Sequence, residues 1–189
     1  MAIFASGSGS NAKKIIDYFT SVPDIDVDVV VCNKKGAGVI GIAGENNIPV
    51  VMIDRTSFQD TSNLVAELEK RNINLIVMAG FLWQLPESFV NAFKGNILNI
   101  HPALLPKYGG KGMYGKFVHE AVLENKEKES GITIHLADEF YDRGEIIFQA
   151  SCEVDPNENM ESLAKKIQLL EHQHYPKIIE GFIRKQNHS

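Results

Sequence analysis

Ile3-Phe4-Ala5-Ser6-Gly7-Ser8-Gly9-Ser10-Asn11-Ala12 sets the architecture of this chain. Three apolar residues end a first strand, and a turn of alternating Ser and Gly follows. Asn11 opens a helical stretch with apolar residues at Ala12, Ile15, Ile16 and Phe19, the spacing of one helix face. Glycine lets the backbone approach a ligand closely, and a helix N-terminus offers unpaired N–H groups at the positive end of its dipole. A monophosphate site, a dinucleotide site and a plain structural turn all fit this segment. A dinucleotide fingerprint calls for an acidic residue near the end of the second strand. That strand ends at Cys32-Asn33, with Asp26 and Asp28 at its start, which favours the monophosphate.

Outward from this unit, strand and helix keep alternating. Residues 27–32 read as a second strand, 36–47 as a short helix frayed by its glycines, and 48–53 as a third strand. Residues 58–71 read as one helix with Leu64, Val65 and Leu68 on a common face. Residues 73–79 are continuously apolar, as in a strand buried on both faces, and 96–100 form another short strand. Such alternation predicts an α/β fold, a mostly parallel sheet flanked by helices. The last third differs. Residues 131–136 and 145–152 are two β-type runs joined by a turn-rich link, an antiparallel C-terminal extension. A final helix is expected from Asn159 to about Lys185, kinked or broken near Pro176. A single domain over 1–189 is expected for 189 residues.

The formal net charge of −5 argues against a phosphate-tracking nucleic-acid surface, which needs clustered Lys and Arg. Two cysteines, Cys32 and Cys152, do not make a disulfide framework. No apolar run reaches the ~20 residues that span a bilayer, and no signal peptide is evident, so a cytoplasmic location is the expectation. The mixed-sign run at 124–129 reads as a solvated helix end or loop.

Two further segments carry chemistry. Asn99-Ile100-His101-Pro102 ends a predicted strand, and residues two apart on a strand point to one face. Pro102 stops the strand, and the Pro- and Gly-bearing residues to Gly110 form an irregular, lid-like segment. Asp138-Glu139-Phe140-Tyr141-Asp142-Arg143-Gly144 joins the two late β runs; taken alone it reads as a turn.

The strand–GSGSN–helix opening, the NIHPALLPKYGG segment and the DEFYDRGEII turn, in this order, resemble the folate-dependent formyltransferases, and among them those acting on glycinamide ribonucleotide. The resemblance runs from Ile3 to about Tyr175. It implies a Rossmann-like formyltransferase fold and transfer of a formyl group from 10-formyltetrahydrofolate, as co-substrate, to a ribonucleotide amine in purine biosynthesis. It implies a catalytic trio of Asn99, His101 and Asp142. It assigns Gly9, Ser10 and Asn11 to the substrate's phosphate, and Gln168, Leu169, Leu170 and Glu171 to the rest of the ribonucleotide. Leu82, Trp83, Gln84 and Leu85, with Asn99 and the turn residues Asp138, Glu139, Phe140, Tyr141 and Asp142, match folate-binding segments. His135 matches a histidine near the site with a lesser role. Trp83 and Gln84 depart from the Arg and aliphatic residue common there, and 111–115 departs from a histidine-bearing version of the lid. No metal, nucleic acid or membrane partner is expected; monomer and homodimer both stand open.

Formyl transfer passes through a tetrahedral carbon bearing an oxyanion, which needs donors aimed at it. The Asn99 amide and a protonated His101 fit that need. A carboxylate beside His101 favours the charged imidazolium, so a His101 pKa raised above ~6.5 is expected. Hydrolysis of the same folate is the alternative within this chemistry, with water in place of the amine. A nucleotide-binding module using only the GSGSN loop is the alternative outside it.

Overall fold

The structure, a computed structural model, describes residues 1–186. The described residues form two compact units, 1–99 and 100–186.

The first unit alternates strand and helix: β1 (Ala2–Ala5), α1 (Ser10–Phe19), β2 (Val29–Cys32), α2 (Gly38–Glu45), β3 (Val50–Met52), α3 (Arg55–Gln59), α4 (Ser62–Lys70), β4 (Leu75–Met78), α5 (Glu87–Ala92) and the start of β5 (Asn96–His101). Its strands are all parallel, in the order β3-β2-β1-β4-β5. Every residue of β1, β2 and β4 is buried, as their unbroken apolar runs demand. Strand order reverses at β1, which pairs β2 on one side and β4 on the other. The carboxyl end of the strand at such a reversal is where open α/β sheets take ligands, and the GSGSN loop lies there. α1 buries Ala12, Ile15, Ile16 and Phe19, the face read from the spacing.

One helix was expected across 58–71, and two are present. Asp54 caps α3 in a reciprocal capping box with Ser57. The chain then leaves helical geometry at Asp60, whose carboxylate accepts from the Ser62 hydroxyl at 2.7 Å. Short polar side chains that bond their own neighbourhood compete with helix continuation.

The second unit holds α6 (Lys116–Glu124), β6 (Glu129–Leu136), β7 (Ile146–Glu153) and α7 (Met160–Gln186). β6 and β7 pair antiparallel from Glu129↔Glu153 to His135↔Ile146, with a register shift between Ile134 and His135. Thus the parallel sheet and the antiparallel C-terminal pair of the expected fold class are both present. Of the kink or break expected near Pro176, a break is absent: α7 runs through it as one helix. Pro176 is itself buried with Leu163, Ile167, Tyr175 and Ile179, so packing of this face offsets the lost backbone bond. Among the described residues no helix is long and apolar enough to cross a membrane.

Candidate active site

In the first unit the GSGSN loop is built by close approach. Gly9 is the N-cap of α1 at φ 83°. A Cβ there would stand 2.8 Å from the Val39 Cα and from Ile42 Cδ1, so both the space and the backbone angle require glycine. Gly38, at the start of α2, would place a Cβ 2.5 Å from the Ser8 carbonyl oxygen. The loop is also tied to the segment after β4. Ser6 N donates to the Gly80 carbonyl at 3.1 Å, and the buried Ser6 hydroxyl accepts from Leu82 N at 3.2 Å. Leu82, Trp83, Gln84 and Leu85 therefore start from a fixed point beside that loop. Leu85 is buried, Trp83 half-buried, and Leu82 and Gln84 exposed.

In the second unit His101 ends β5 with a side chain 4% exposed, and Asp142 has a side chain 8% exposed. His101 Nδ1 lies 3.4 Å from Asp142 Oδ1. His135 Nε2 approaches the same oxygen at 3.6 Å. The other carboxylate oxygen accepts from Gly110 N at 2.9 Å. Each imidazole has its remaining nitrogen against a backbone carbonyl: His101 Nε2 at 2.8 Å from Tyr108 O, His135 Nδ1 at 2.8 Å from Leu136 O. A carbonyl only accepts, so both of those nitrogens carry hydrogen. Two ring nitrogens then face one carboxylate oxygen, an arrangement able to take up one further proton and pass it on.

The expected upward shift of His101 is reversed. Burial pushes its pKa below the ordinary 6.5; Asp142 and the Tyr108 carbonyl pull it upward, and the neighbouring His135 adds to the depression. The Coulombic attraction exists, but desolvation of an imidazolium outweighs it. Asp142 shifts down as well. Burial pushes its carboxyl up, yet His135, His101 and the Gly110 N–H together hold it below 3.8. Burial thus works against charge on His101, while the groups around Asp142 favour its ionised form.

Backbone geometry presents these groups. Asp142 sits at φ 56° and Tyr108 at φ 55°, left-handed positions that non-glycine residues seldom occupy. A Cβ on Gly144 would fall 1.7 Å from Leu136 O, and one on Gly109 would fall 2.5 Å from Leu105 Cδ2 and 3.2 Å from Asp142 Cβ. Both glycines let the turn and the lid-like segment close on the carboxylate.

Sequence reasoning missed the brace under that segment. The fully buried Thr133 hydroxyl donates to Ala103 O at 2.6 Å and accepts from Leu105 N at 2.9 Å. Gln149 Nε2 donates to Thr133 Oγ1 at 2.9 Å and to Leu105 O at 3.0 Å. The only trace in the sequence was a polar residue inside an apolar strand run. The run 124–129 ends α6 and is largely exposed, as read; within it the Glu127 carboxylate accepts from Lys107 Nζ at 3.0 Å and the Tyr108 hydroxyl at 2.9 Å.

The remaining assigned residues are distributed as follows. Asn99 is half-buried on β5, two residues before His101. In the turn, Phe140 N donates to Asp138 Oδ1 at 2.8 Å, Phe140 is 54% exposed, and the Arg143 guanidinium stands 5.9 Å from its ring. Asp138, Glu139 and Tyr141 are half-buried. Gln168, Leu169, Leu170 and Glu171 are consecutive on α7, the first two exposed and the others half-buried. Consecutive helical residues diverge by about 100°, so of these only Gln168 and Glu171 share a face.

A profile of the family described as formyl transferase matches residues 1–179. The chain is 40% identical, over 95% of its length, to the chloroplastic phosphoribosylglycinamide formyltransferase of Arabidopsis thaliana, and spans 63% of that relative. It is 32% identical to the phosphoribosylglycinamide formyltransferase of Bacillus subtilis, covering 96% of this chain and 93% of that one. The crystal structure of the enzyme of that name from Bacillus halodurans superposes with a TM-score of 0.88 at 32% identity, covering 98% of this chain and 95% of the other.

Proposed function

The chain belongs to the formyl transferase family, and from that premise we propose that it is a phosphoribosylglycinamide formyltransferase, moving the formyl group of 10-formyltetrahydrofolate to the amine of 5'-phosphoribosylglycinamide in de novo purine biosynthesis. The observation that carries this reading is the buried Asp142 carboxylate, held by Gly110 N and faced by His101 and His135. The cytoplasmic expectation goes with it.

In this reading the amine nitrogen attacks the formyl carbon, a new C–N bond forms, and the bond from that carbon to the folate nitrogen breaks. The formyl oxygen carries negative charge on the way. The Asn99 amide and the His101 Nε2–H donate to it, the latter giving up its resting bond to Tyr108 O. The amine sheds one proton and the folate nitrogen gains one. A buried histidine that holds a proton weakly suits this transfer, with Asp142 stabilising the imidazolium while it lasts. Gly9, Ser10 and Asn11 take the substrate's phosphate at the N-terminus of α1. Gln168, Leu169, Leu170 and Glu171 are assigned to the rest of the ribonucleotide. Residues 82–85 and 138–142 are each assigned to the folate.

A formyl-transfer assay with 10-formyltetrahydrofolate, offering the ribonucleotide and water as acceptors, tests the proposal. Formylation of the ribonucleotide is expected. Release of formate at the same rate with and without the ribonucleotide would overturn it in favour of hydrolysis. Tight NAD binding with no ribonucleotide binding would overturn it in favour of a nucleotide-binding module.

A further inference from the structure

Tyr108 holds His101 through its backbone and is itself held through its side chain. Its carbonyl oxygen lies 2.8 Å from His101 Nε2 and accepts the hydrogen there. Its hydroxyl donates to Glu127 Oε1 at 2.9 Å. The Glu127 carboxylate is met in turn by Lys107 Nζ, at 3.0 Å from Oε1 and 3.2 Å from Oε2.

The two contacts on Glu127 are of unequal weight. The Lys107 side chain is 66% exposed, so its ion pair is screened and contributes little. The hydroxyl–carboxylate bond is charge-assisted and half-buried. It anchors a residue at φ 55°, a left-handed backbone angle that persists in a non-glycine residue only when its surroundings impose it. Beside this bond lies a cavity of about 240 Å³, lined by Leu104, Leu105, Val122 and Ser130 as well as by Tyr108 and Glu127. The segment therefore has room to shift once the anchor is gone.

The place of the Tyr108 carbonyl decides which nitrogen of His101 carries hydrogen. The titratable groups facing His101 are Asp142, from the turn after β6, and His135, from β6. His101 Nδ1 faces Asp142 Oδ1 at 3.4 Å, and a carboxylate is a stronger acceptor than a carbonyl. At equal reach the single hydrogen of a neutral imidazole would sit on Nδ1. The carbonyl keeps it on Nε2 by being the closer of the two. An Nε2–H donates to a developing oxyanion, whereas an Nε2 lone pair repels it. We propose that the Tyr108–Glu127 bond is a positioning device for His101: by pinning the Tyr108 carbonyl it keeps the imidazole in the Nε2–H tautomer that formyl transfer uses. Tyr108 and Glu127 are positioning residues that act through His101. The kinetic part of the inference rests on the proposed formyl-transfer reading; the tautomer does not.

Imidazole nitrogen chemical shifts report the tautomer without turnover. They are compared at about pH 8, above the ordinary imidazole value, for wild type, Tyr108→Phe, Glu127→Ala and Glu127→Gln, with His101→Gln assigning the signals. Wild type is expected to show Nε2–H. Tyr108→Phe and Glu127→Ala each move His101 mainly to Nδ1–H. Both lower kcat about tenfold, part of the loss that follows removal of one oxyanion donor, with KM for either substrate within about twofold of wild type. Glu127→Gln keeps an oxygen for the Tyr108 hydroxyl and restores both the tautomer and kcat, a linkage that a merely structural role would not produce. An Nδ1–H tautomer in wild type, an unchanged tautomer in folded Tyr108→Phe and Glu127→Ala, a changed tautomer at wild-type kcat, or a Gln variant indistinguishable from Ala would overturn the inference. Wild-type turnover with the ribonucleotide, measured on the same preparation, judges the proposed activity separately.

Discussion

The two units each carry a loop at a strand end for which a role is proposed, and the two loops are made in opposite ways. The β1–α1 loop is contiguous. The groups proposed to take the phosphate, at Gly9, Ser10 and Asn11, are consecutive in the chain, and the direction of their backbone N–H groups follows from a helix beginning at Ser10. The His101 site is assembled. Asp142 is met by the side chain of His101 from β5, that of His135 from β6, and the N–H of Gly110 from the intervening segment. A contiguous backbone site demands correct local conformation. An assembled side-chain site demands correct long-range packing, and its groups change their proton affinity because they are buried.

The sharpest break of this contrast is removal of a single side chain from the assembled site. Asn99→Ala is expected to lower kcat by about 10²-fold or more, the loss that follows removal of one preorganised oxyanion donor, and Asp142→Ala by a similar factor through loss of the carboxylate that stabilises the His101 imidazolium. Steady-state kinetics on folded variants decide it, and near-wild-type turnover in either would remove that residue from the catalytic trio.

Next in size is the brace. Thr133→Val keeps the shape but leaves Leu105 N and Ala103 O without the hydroxyl that serves them both. A loss of about 1–3 kcal/mol in urea unfolding is expected, with a fall in kcat as the segment from Pro102 to Gly110 loosens. Unchanged kcat at reduced stability would show that the brace serves folding alone.

The contiguous loop should fail differently. Gly9→Ala adds a methyl 2.8 Å from the Val39 Cα at a left-handed backbone angle. About 1–2 kcal/mol of stability is expected to be lost, with KM for the ribonucleotide rising more than kcat falls. A selective drop in kcat would contradict the phosphate assignment.

The smallest effect concerns acid. Burial holds His101 and His119 below the ordinary imidazole value of 6.5. The unfolded chain therefore binds protons that the folded chain refuses. Stability from these groups is full above 6.5 and is lost as pH falls through their native values. Asp142, held below 3.8, adds a further loss at lower pH. Replacing His119 by Gln, away from the assembled site, should shrink the fall in unfolding free energy between about pH 7 and about pH 5 by up to roughly 1 kcal/mol. An unchanged slope would place the acid sensitivity elsewhere. By the same sign, kcat/KM should lose activity only on the acid side of 6.5, with His101 neutral and Asp142 ionised above it.

The legibility of the sequence follows the same divide. Residues 73–79 read as a buried strand because an unbroken apolar run has few other uses, and β4 lies inside that span. Asn99 and His101 were readable as a pair because strand side chains alternate. The split of 58–71 into two helices was missed, since the apolar spacing of Leu64, Val65 and Leu68 outweighed the Asp60-Thr61-Ser62 interruption. Asp142 was invisible as a catalytic group from its turn and needed the family resemblance. Thr133 and Gln149 were missed altogether, because nothing nearby in the chain states that residues 103 and 105 are their partners.

By itself, then, the sequence determined the alternation of elements, the glycine loop and its helix start, and the placing of Asn99 and His101 on one strand. Each depends on contacts within about ten residues, where periodicity and turn chemistry speak directly. Only the tertiary structure decided which oxygen of Asp142 meets which nitrogen, and that burial lowers rather than raises the His101 pKa. Those outcomes depend on desolvation and on distances between residues far apart in the chain, which exist only once the chain has packed.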